Sequence, residues 1–438
     1  MEEQGKQQAK WQIPFFTIWT GQQLSLIGSH VAQFALIWWL TTTTGSATVL
    51  ATASLVGLLP GIVLGPFVGA LIDRWNRRIV MLVADTVVAL ASLYLAYLFW
   101  TDALQIWHVY VIMFVRAVGG GFHWPAMDAS TSLMVPKEQL TRVAGLNQTV
   151  KGALNIIGAP LGALLMELLP LFGVMLVDVG TAAFAIVPLF FVHIPQPASA
   201  DKGEAQKSSI WADMGEGLRY IRDWSGLMAL IGVALAVKIV LTPAFSLIPL
   251  LVSEHFGGNA AQLSLLDAIV GIGFIAGGLV LSVWGGFRRK IYTTALGMGV
   301  LGLGLVALGL APGGWFWMAL ASVLLIGISI PLVDGPIMAI LQGSVAPEMQ
   351  GRVLTMMMSL LNLSAPFSLV IAGPVTDWLG ITVWYVVAGV LCLLASSAVF
   401  FVPAIVHIEQ NHNGHRAKDE LPLATTESVV PVGVEIGD

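Results

Sequence analysis

Twelve apolar runs, each about as long as a helix needs to cross a bilayer, leave this chain almost no choice of fold class. A spanning helix takes roughly 20 apolar residues, and because the hydrocarbon layer offers no water to a bare backbone, each segment must close its own hydrogen bonds. Runs of this kind lie at residues 14–40, 47–72, 79–100, 106–130, 143–166, 173–193, 226–252, 262–284, 291–311, 315–341, 353–377 and 382–406. Composition agrees: 57% of the 438 residues are hydrophobic and only 10% are charged, against about a quarter charged in soluble domains. The expected fold is all-α and integral to the membrane, with twelve transmembrane helices in two six-helix bundles. No cleavable signal is read at the start, since MEEQGKQQAKWQ is polar and the run after it is too long for a signal-peptide core.

The runs divide six and six. Between them PASADKGEAQKSS has a linker composition. In WADMGEGLRYIRDW, which follows, Trp211, Met214, Leu218 and Ile221 recur at helical spacing and predict a short helix along the membrane face. The expected organisation is a first half at 1–194, a cytoplasmic linker with its amphipathic helix at 195–224, a second half at 225–406 and a cytoplasmic tail at 407–438. Basic residues orient the chain. Connections after odd-numbered spans hold no Lys or Arg, whereas the others hold Arg74, Arg77, Arg78, Lys137, Arg142, Arg288, Arg289, Lys290 and Arg352, besides the linker cations. Both termini are therefore expected in the cytoplasm. The formal charge of −5 lies partly in the tails and says little about partners. Cys392 is the single cysteine and forms no internal disulfide. His407, His412 and His415 read as a solvated tail, so no metal is expected.

Charge is concentrated in one short connection, GALIDRWNRRIVML at 69–82. The halves also repeat. VPKEQLTRV (135–143) finds VAPEMQGRV (345–353), Arg77-Arg78 finds Arg288-Arg289, and Pro125 finds Pro336, all at an offset of about 210 residues. Parallel repeats of six spans place a transport path at the repeat interface near mid-bilayer.

These residues carry a resemblance to the major facilitator superfamily, whose signature between spans two and three is met by Gly69, Leu71, Asp73, Arg74, Arg77 and Arg78. Asn76 stands where the family usually has Gly; Asn tolerates the left-handed conformation of a tight turn. The second copy, GGLVLSVWGGFRRK (277–290), has lost the Asp. More narrowly, VPKEQLTRVAGLNQTVKGALNIIGAPLGALL (135–165) resembles the macrolide-efflux type of drug:proton antiporter. The resemblance implies a gating role for Gly69, Asp73, Arg74, Arg77, Arg78, Arg142 and Arg352. Asp73 is expected to pair with a basic residue or a helix N-terminus in one conformation only; the bland reading is a topogenic basic loop.

Inside the spans, polar residues are costly and mark the path or an ion pair. Arg116, followed four residues later by Gly120 as in the superfamily's exporters, reads equally as a proton or substrate residue and as half of a structural pair. Lys238 in span seven is expected to face a cavity, paired with Asp267 or another acid. Asp85, Asp128, Asp178, Asp267 and Asp334 are candidate proton carriers; Asp178 and Asp267 lie toward the outer side, while Asp128 and Asp334 suit loop orientation near the inner one. Span one offers Gln22, Gln23, Ser25, His30 and Gln33, with Gln23, His30 and Gln33 along one side as a cavity stripe or as interhelical hydrogen bonds. Gly158, Pro160 and Gly162 resemble the antiporter motif of span five, and close helix packing explains them as well. Trp38, Trp39, Phe122, Trp124, Phe245 and Met356-Met357-Met358 are possible pocket walls or packing.

No loop of the form G-x-x-x-x-G-K-S/T is present, so an ion or substrate gradient, or a separate subunit, is expected to supply the energy, with no cofactor and the proton gradient as the expected source. The expected protein is a monomeric plasma-membrane transporter, not an enzyme and not a nucleic-acid binder. Its expected partners are a small amphipathic substrate, protons and the lipid bilayer. The rivals are an uptake symporter, a facilitator, a siderophore or metabolite exporter, and a non-transporting receptor or scaffold.

Overall fold

The computed structural model describes residues 2–72, 74–196, 210–345, 347–406 and 408. Among these the chain forms helices and turns, with no strand. The first half comprises α1 (Glu2–Thr44), α2 (Ala47–Ile72), α3 (Arg77–Trp100), α4 (Ile106–Met134), α5 (Leu140–Leu168) and α6 (Leu171–Phe191). The linker contributes α7 (Ile210–Asp223). The second half comprises α8 (Ser225–Ser246), the single turn α9 (Ile248–Leu250), α10 (Ala260–Trp284), α11 (Lys290–Leu310), α12 (Phe316–Ser344), α13 (Pro347–Leu379), α14 (Ile381–Phe401) and a last turn α15 (Pro403–Val406).

Eleven of the described helices are long and apolar enough to cross a membrane. The twelfth expected span, α4, has the length, at 29 residues, but Arg116, His108, His123 and Asp128 dilute its apolar run. It packs between α2 and α3 all the same; Arg116 and His123 turn into the bundle, whereas Asp128 is exposed. Span seven departs from expectation too. The ladder of α8 ends at Leu247, and Pro249, which has no amide hydrogen to give, starts a new turn that runs into a π-turn at Leu251–His255.

Helix ends are closed by side chains. Asn76 has φ −68 and ψ 110, not a left-handed conformation, and its side chain accepts from the amides of Arg78 and Ile79. It is an N-cap, which explains Asn here by hydrogen bonding rather than by turn strain. Asn259 caps α10 reciprocally with Gln262, and Gly285 ends that helix with φ 75. In the linker helix Ile221 is buried against the second half while Leu218 is exposed, since α7 packs under α8 and α13. The side chains of Trp211 and Met214 lie outside those described.

Each half is a bundle with its own core. In the first, α1 packs on α5 and α6, and α3 on α4 and α6; in the second, α11 packs on α12 and α14, and α10 on α12. Large apolar side chains such as Phe191, Val283, Trp378 and Phe401 stand more than four-fifths exposed, the surface that a bilayer rather than water would solvate. The halves meet along two helix pairs, α2 with α13 and α5 with α10. Core packing crosses between them at the end of the bundle away from the basic connections, where Leu247 and Leu250 join Val31, Leu36, Leu40, Ala47 and Leu50. The cluster nearest the basic end (Phe15, Ile18, Val68, Ile72, Met81, Ala126) is built from the first half alone.

Candidate functional site

A cavity of about 540 Å³ opens inside the first half. Its wall is made by α1, α2, α3, α4 and α6, with Ser246 of α8 the one lining residue from the second half. Seven-residue spacing builds its polar side. Seven residues are close to two helical turns, so positions i and i+7 share a face about 10 Å apart along the axis. Three helices use this spacing: Gln22 and Ser29 on α1, Asp85 and Ser92 on α3, Arg116 and His123 on α4; all but Ser92, which is buried behind the wall, line the cavity. Because α4 runs opposite to α1 and α3, the six side chains fall into two layers.

The far layer is an ion pair. Arg116 donates through Nη1 to Asp178 Oδ2 and to Ser92 Oγ. Asp178 also accepts from Ser92 Oγ at 2.6 Å and Ser29 Oγ at 3.0 Å. With 1% of its side chain exposed, Asp178 is a carboxylate whose charge is matched by an adjacent cation and whose lone pairs are filled. That is the condition under which a buried charge is tolerated. The near layer is looser. Gln22 Nε2 donates to Asp85 Oδ2 at 2.8 Å, His123 Nε2 lies 2.9 Å from Gln22 Oε1, and Asp85 Oδ1 stands 3.4 Å from His123 Nε2.

The two halves are tied at the far end by a carboxylate. Asp377, near the C-terminus of α13, accepts from the backbone amides of Ala47 (2.6 Å) and Thr48 (3.0 Å) and from Ser46 Oγ (3.0 Å). It thereby fills the unsatisfied donors at the start of α2. Gly373 lets this contact form, for a side chain there would stand 2.7 Å from Thr48 Cα. Toward the basic end one face of α2 loses its neighbours: Gly61, Gly65 and Gly69 have nothing within 4 Å of a side-chain position, and Val63 and Phe67 are each 54% exposed, while Val68 and Ile72 stay in the first half's core.

The sequence profile described as the Major Facilitator Superfamily matches residues 18–251 and again 228–432. The chain belongs to this superfamily. It is similar to Macrolide efflux protein A of Streptococcus pyogenes, 33% identical over 87% of this chain and 94% of that one. The Enterococcus faecalis protein of the same name is 32% identical over 74% of this chain and all of its own length. Among solved structures, a variant of the nucleoside transporter NupG superposes with a TM-score of 0.65 at 11% identity, covering 87% of this chain and 99% of that one; that likeness concerns the fold.

In this superfamily transporter, the residues expected to matter from sequence are distributed as follows. Asp73 lies outside the described residues. Arg74 is exposed and, with Trp75 and Phe122, whose rings stack at 6.0 Å, lines an apolar groove of about 750 Å³ between α3 and α4. Arg77 donates to the carbonyl of Ala129, near the C-terminus of α4, and Arg78 to those of Leu189 and Phe190 at the end of α6. These contacts bind α3 within its own half, cations on helix C-termini. Arg142 reaches Gln139, and Arg352 reaches Met349 Sδ.

His30 and Gln33 line the cavity, but Gln23 does not. The stripe on α1 is Gln22, Ser25, Leu26, Ser29, His30 and Gln33, and Gln23 is rotated about 100° from Gln22 to its edge. Lys238 is exposed and lines none of the described cavities; it acts electrostatically on Asp334 of α12, one of the other acids allowed for it, while Asp267 is half-buried on α10. Gly158 faces His30 and Gly162 faces Phe34 at 2.9 Å from a side-chain position, so the segment around Pro160 packs α5 on α1. Of the aromatic candidates only Trp124 lines the polar cavity; Trp38 is core and Trp39 meets Phe99.

Sequence reading overlooked His123, Ser29, Ser92, Lys151 and Asp377. Lys151, also within a span, sits over the Trp124 ring at 4.9 Å. The seven-residue spacing was a usable signal for His123, Ser29 and Ser92. Asp377 had none, because its partners are more than 300 residues away in sequence.

Proposed function

We propose that this transporter exports amphipathic drugs of the macrolide type from the cytoplasm in exchange for protons, the two halves rocking about the cavity. The observation that carries the reading is a cavity with a two-layer polar wall in a bundle closed at one end by Asp377 and splayed at the other. The names of the two macrolide-efflux relatives supply the substrate class. The basic connections support a cytoplasmic placement of the splayed end and of both termini, hence an inward-open reading; the proposed transporter works as a monomer in the plasma membrane. Apolar walls such as Leu58, Val88 and Met113 suit the body of an amphiphile, and Gln33, His30 and Ser25 suit its polar groups.

Efflux of a labelled macrolide from cells or proteoliposomes, with and without an imposed proton gradient, tests the reading. Gradient-driven extrusion is expected. Movement down the macrolide's own gradient, unaffected by pH, would make it a facilitator, and accumulation inside would make it an uptake symporter. With Asp73→Asn beside the parent, slower export in correctly inserted protein is expected; unchanged export would remove the inner-gate role of the 69–82 connection.

A further inference from the structure

The carboxylates inside the spans differ in what already holds them. Asp178 is saturated by Arg116, Ser29 and Ser92. Asp334 has Lys238 beside it, and Asp267 is not part of the cavity wall. Asp85 lines the cavity together with the only imidazole that stands against a carboxylate among the described residues. Gln22 bridges the two, donating to Asp85 and holding His123 Nε2 at its amide oxygen.

With Asp85 ionised and His123 neutral, this layer holds one net negative charge in a buried wall, which is costly. One added proton, on the imidazole or on the carboxylate, neutralises it while the side chains stay in place. We infer that Asp85, His123 and Gln22 form the site where the coupling proton is bound and released, an inference that rests on the antiport reading above. Only an N–H or O–H bond forms: the proton arrives from water on one side and leaves to water on the other. A substrate that hydrogen-bonds Gln22 or presents a cation to Asp85 replaces the proton's neutralising role, and that competition makes the movement an exchange.

Other titratable groups face the same space and must be separated from it. Arg116 of α4 and Asp178 of α6 neutralise each other. His30 of α1 has Nδ1 on its own helix's Leu26 carbonyl at 2.8 Å. Lys151 of α5 lies on Trp124. From α2 and α8 the lining side chains carry no charge.

The test uses the full chain in proteoliposomes with a radiolabelled macrolide and a trapped pH dye. Three quantities are read: gradient-driven transport, macrolide exchange at equal pH, and protons released per macrolide bound. For Asp85→Asn and His123→Asn, the ratio of driven transport to exchange should fall at least tenfold and proton release should vanish. Asp85→Glu should restore driven transport with a displaced pH profile, and Asp267→Asn, outside the cavity wall, should keep the parent ratio. Asp85→Asn and His123→Asn both keeping the parent ratio would place the proton elsewhere. Equal loss of driven transport and exchange, in protein that stays monodisperse, would make the cluster a substrate contact and overturn the assignment. A parent protein indifferent to the gradient would sink the antiport reading first, visibly before any variant is compared. If Asp85→Asn does not insert, Asp85→Glu and His123→Gln carry the same comparison.

Discussion

At Arg116 the cost of a charge inside a membrane protein is met within one hydrogen-bonding distance, by Asp178 and Ser92. Removing one partner leaves the other buried and unmatched, a loss of about 3–5 kcal/mol. Asp178→Asn should therefore lower the unfolding temperature of detergent-purified protein sharply. Arg116→Met combined with Asp178→Leu should recover much of that stability, because no lone charge remains, while transport stays low. A single variant as stable as the parent would show that the pair is not the closed contact described. Two readings of Arg116 stood open from sequence, path residue and structural pair. Geometry shows the pair, and Arg116 alone of its two members also lines the cavity.

Elements pack here through bare backbone. On α10, a side chain at Gly277 would stand 2.2 Å from the carbonyl oxygen of Ile328 on α12, whereas beside Gly278 nothing lies within 4 Å. Adjacent positions therefore predict opposite outcomes. Gly277→Ala must move two helices and should cost about 1–3 kcal/mol, the usual range for overpacking. Gly278→Ala only restricts the unfolded chain and adds helix propensity, so it should be neutral or stabilising by up to about 1 kcal/mol. Thermal unfolding of the two variants side by side decides this; equal values would mean that α10 and α12 are not in contact there. Element type and rough length were readable because apolar runs of bilayer length permit little else. The break at Leu247 was not, although Pro249 was in view, because proline is common inside spans and only the local backbone shows whether the ladder resumes.

For the whole molecule, the decisive contact joins residues from opposite ends of the chain. Asp377 caps α2 across the two halves, and an N-cap is worth about 1 kcal/mol, roughly fivefold in an equilibrium. Asp377→Ala should shift the population toward the state open at the far end. Spin-label distances across α2 and α13 should lengthen there, and cysteines lining the far layer should gain reactivity to an impermeant thiol reagent. Unchanged distances and reactivity would show that apolar packing of Leu247 and Leu250 alone closes that end. Such a shift would give the gate expected in the 69–82 connection a counterpart at the other end. There the carboxylate comes from the second half and the helix N-terminus from the first.

By itself the sequence determined the solvent, the fold class, the repeat and the family, because bilayer thickness and backbone hydrogen bonding constrain every spanning residue in the same way. It also held, in the seven-residue spacing of Gln22 and Ser29, Asp85 and Ser92, and Arg116 and His123, the pattern of the polar wall. Tertiary structure alone decided which side chains meet: Asp178 with Arg116, Asp334 near Lys238, Asp377 on the start of α2. Hydrogen bonds and ion pairs act over about 3 Å, and a helix's periodicity states which face a residue occupies but not which neighbour that face receives.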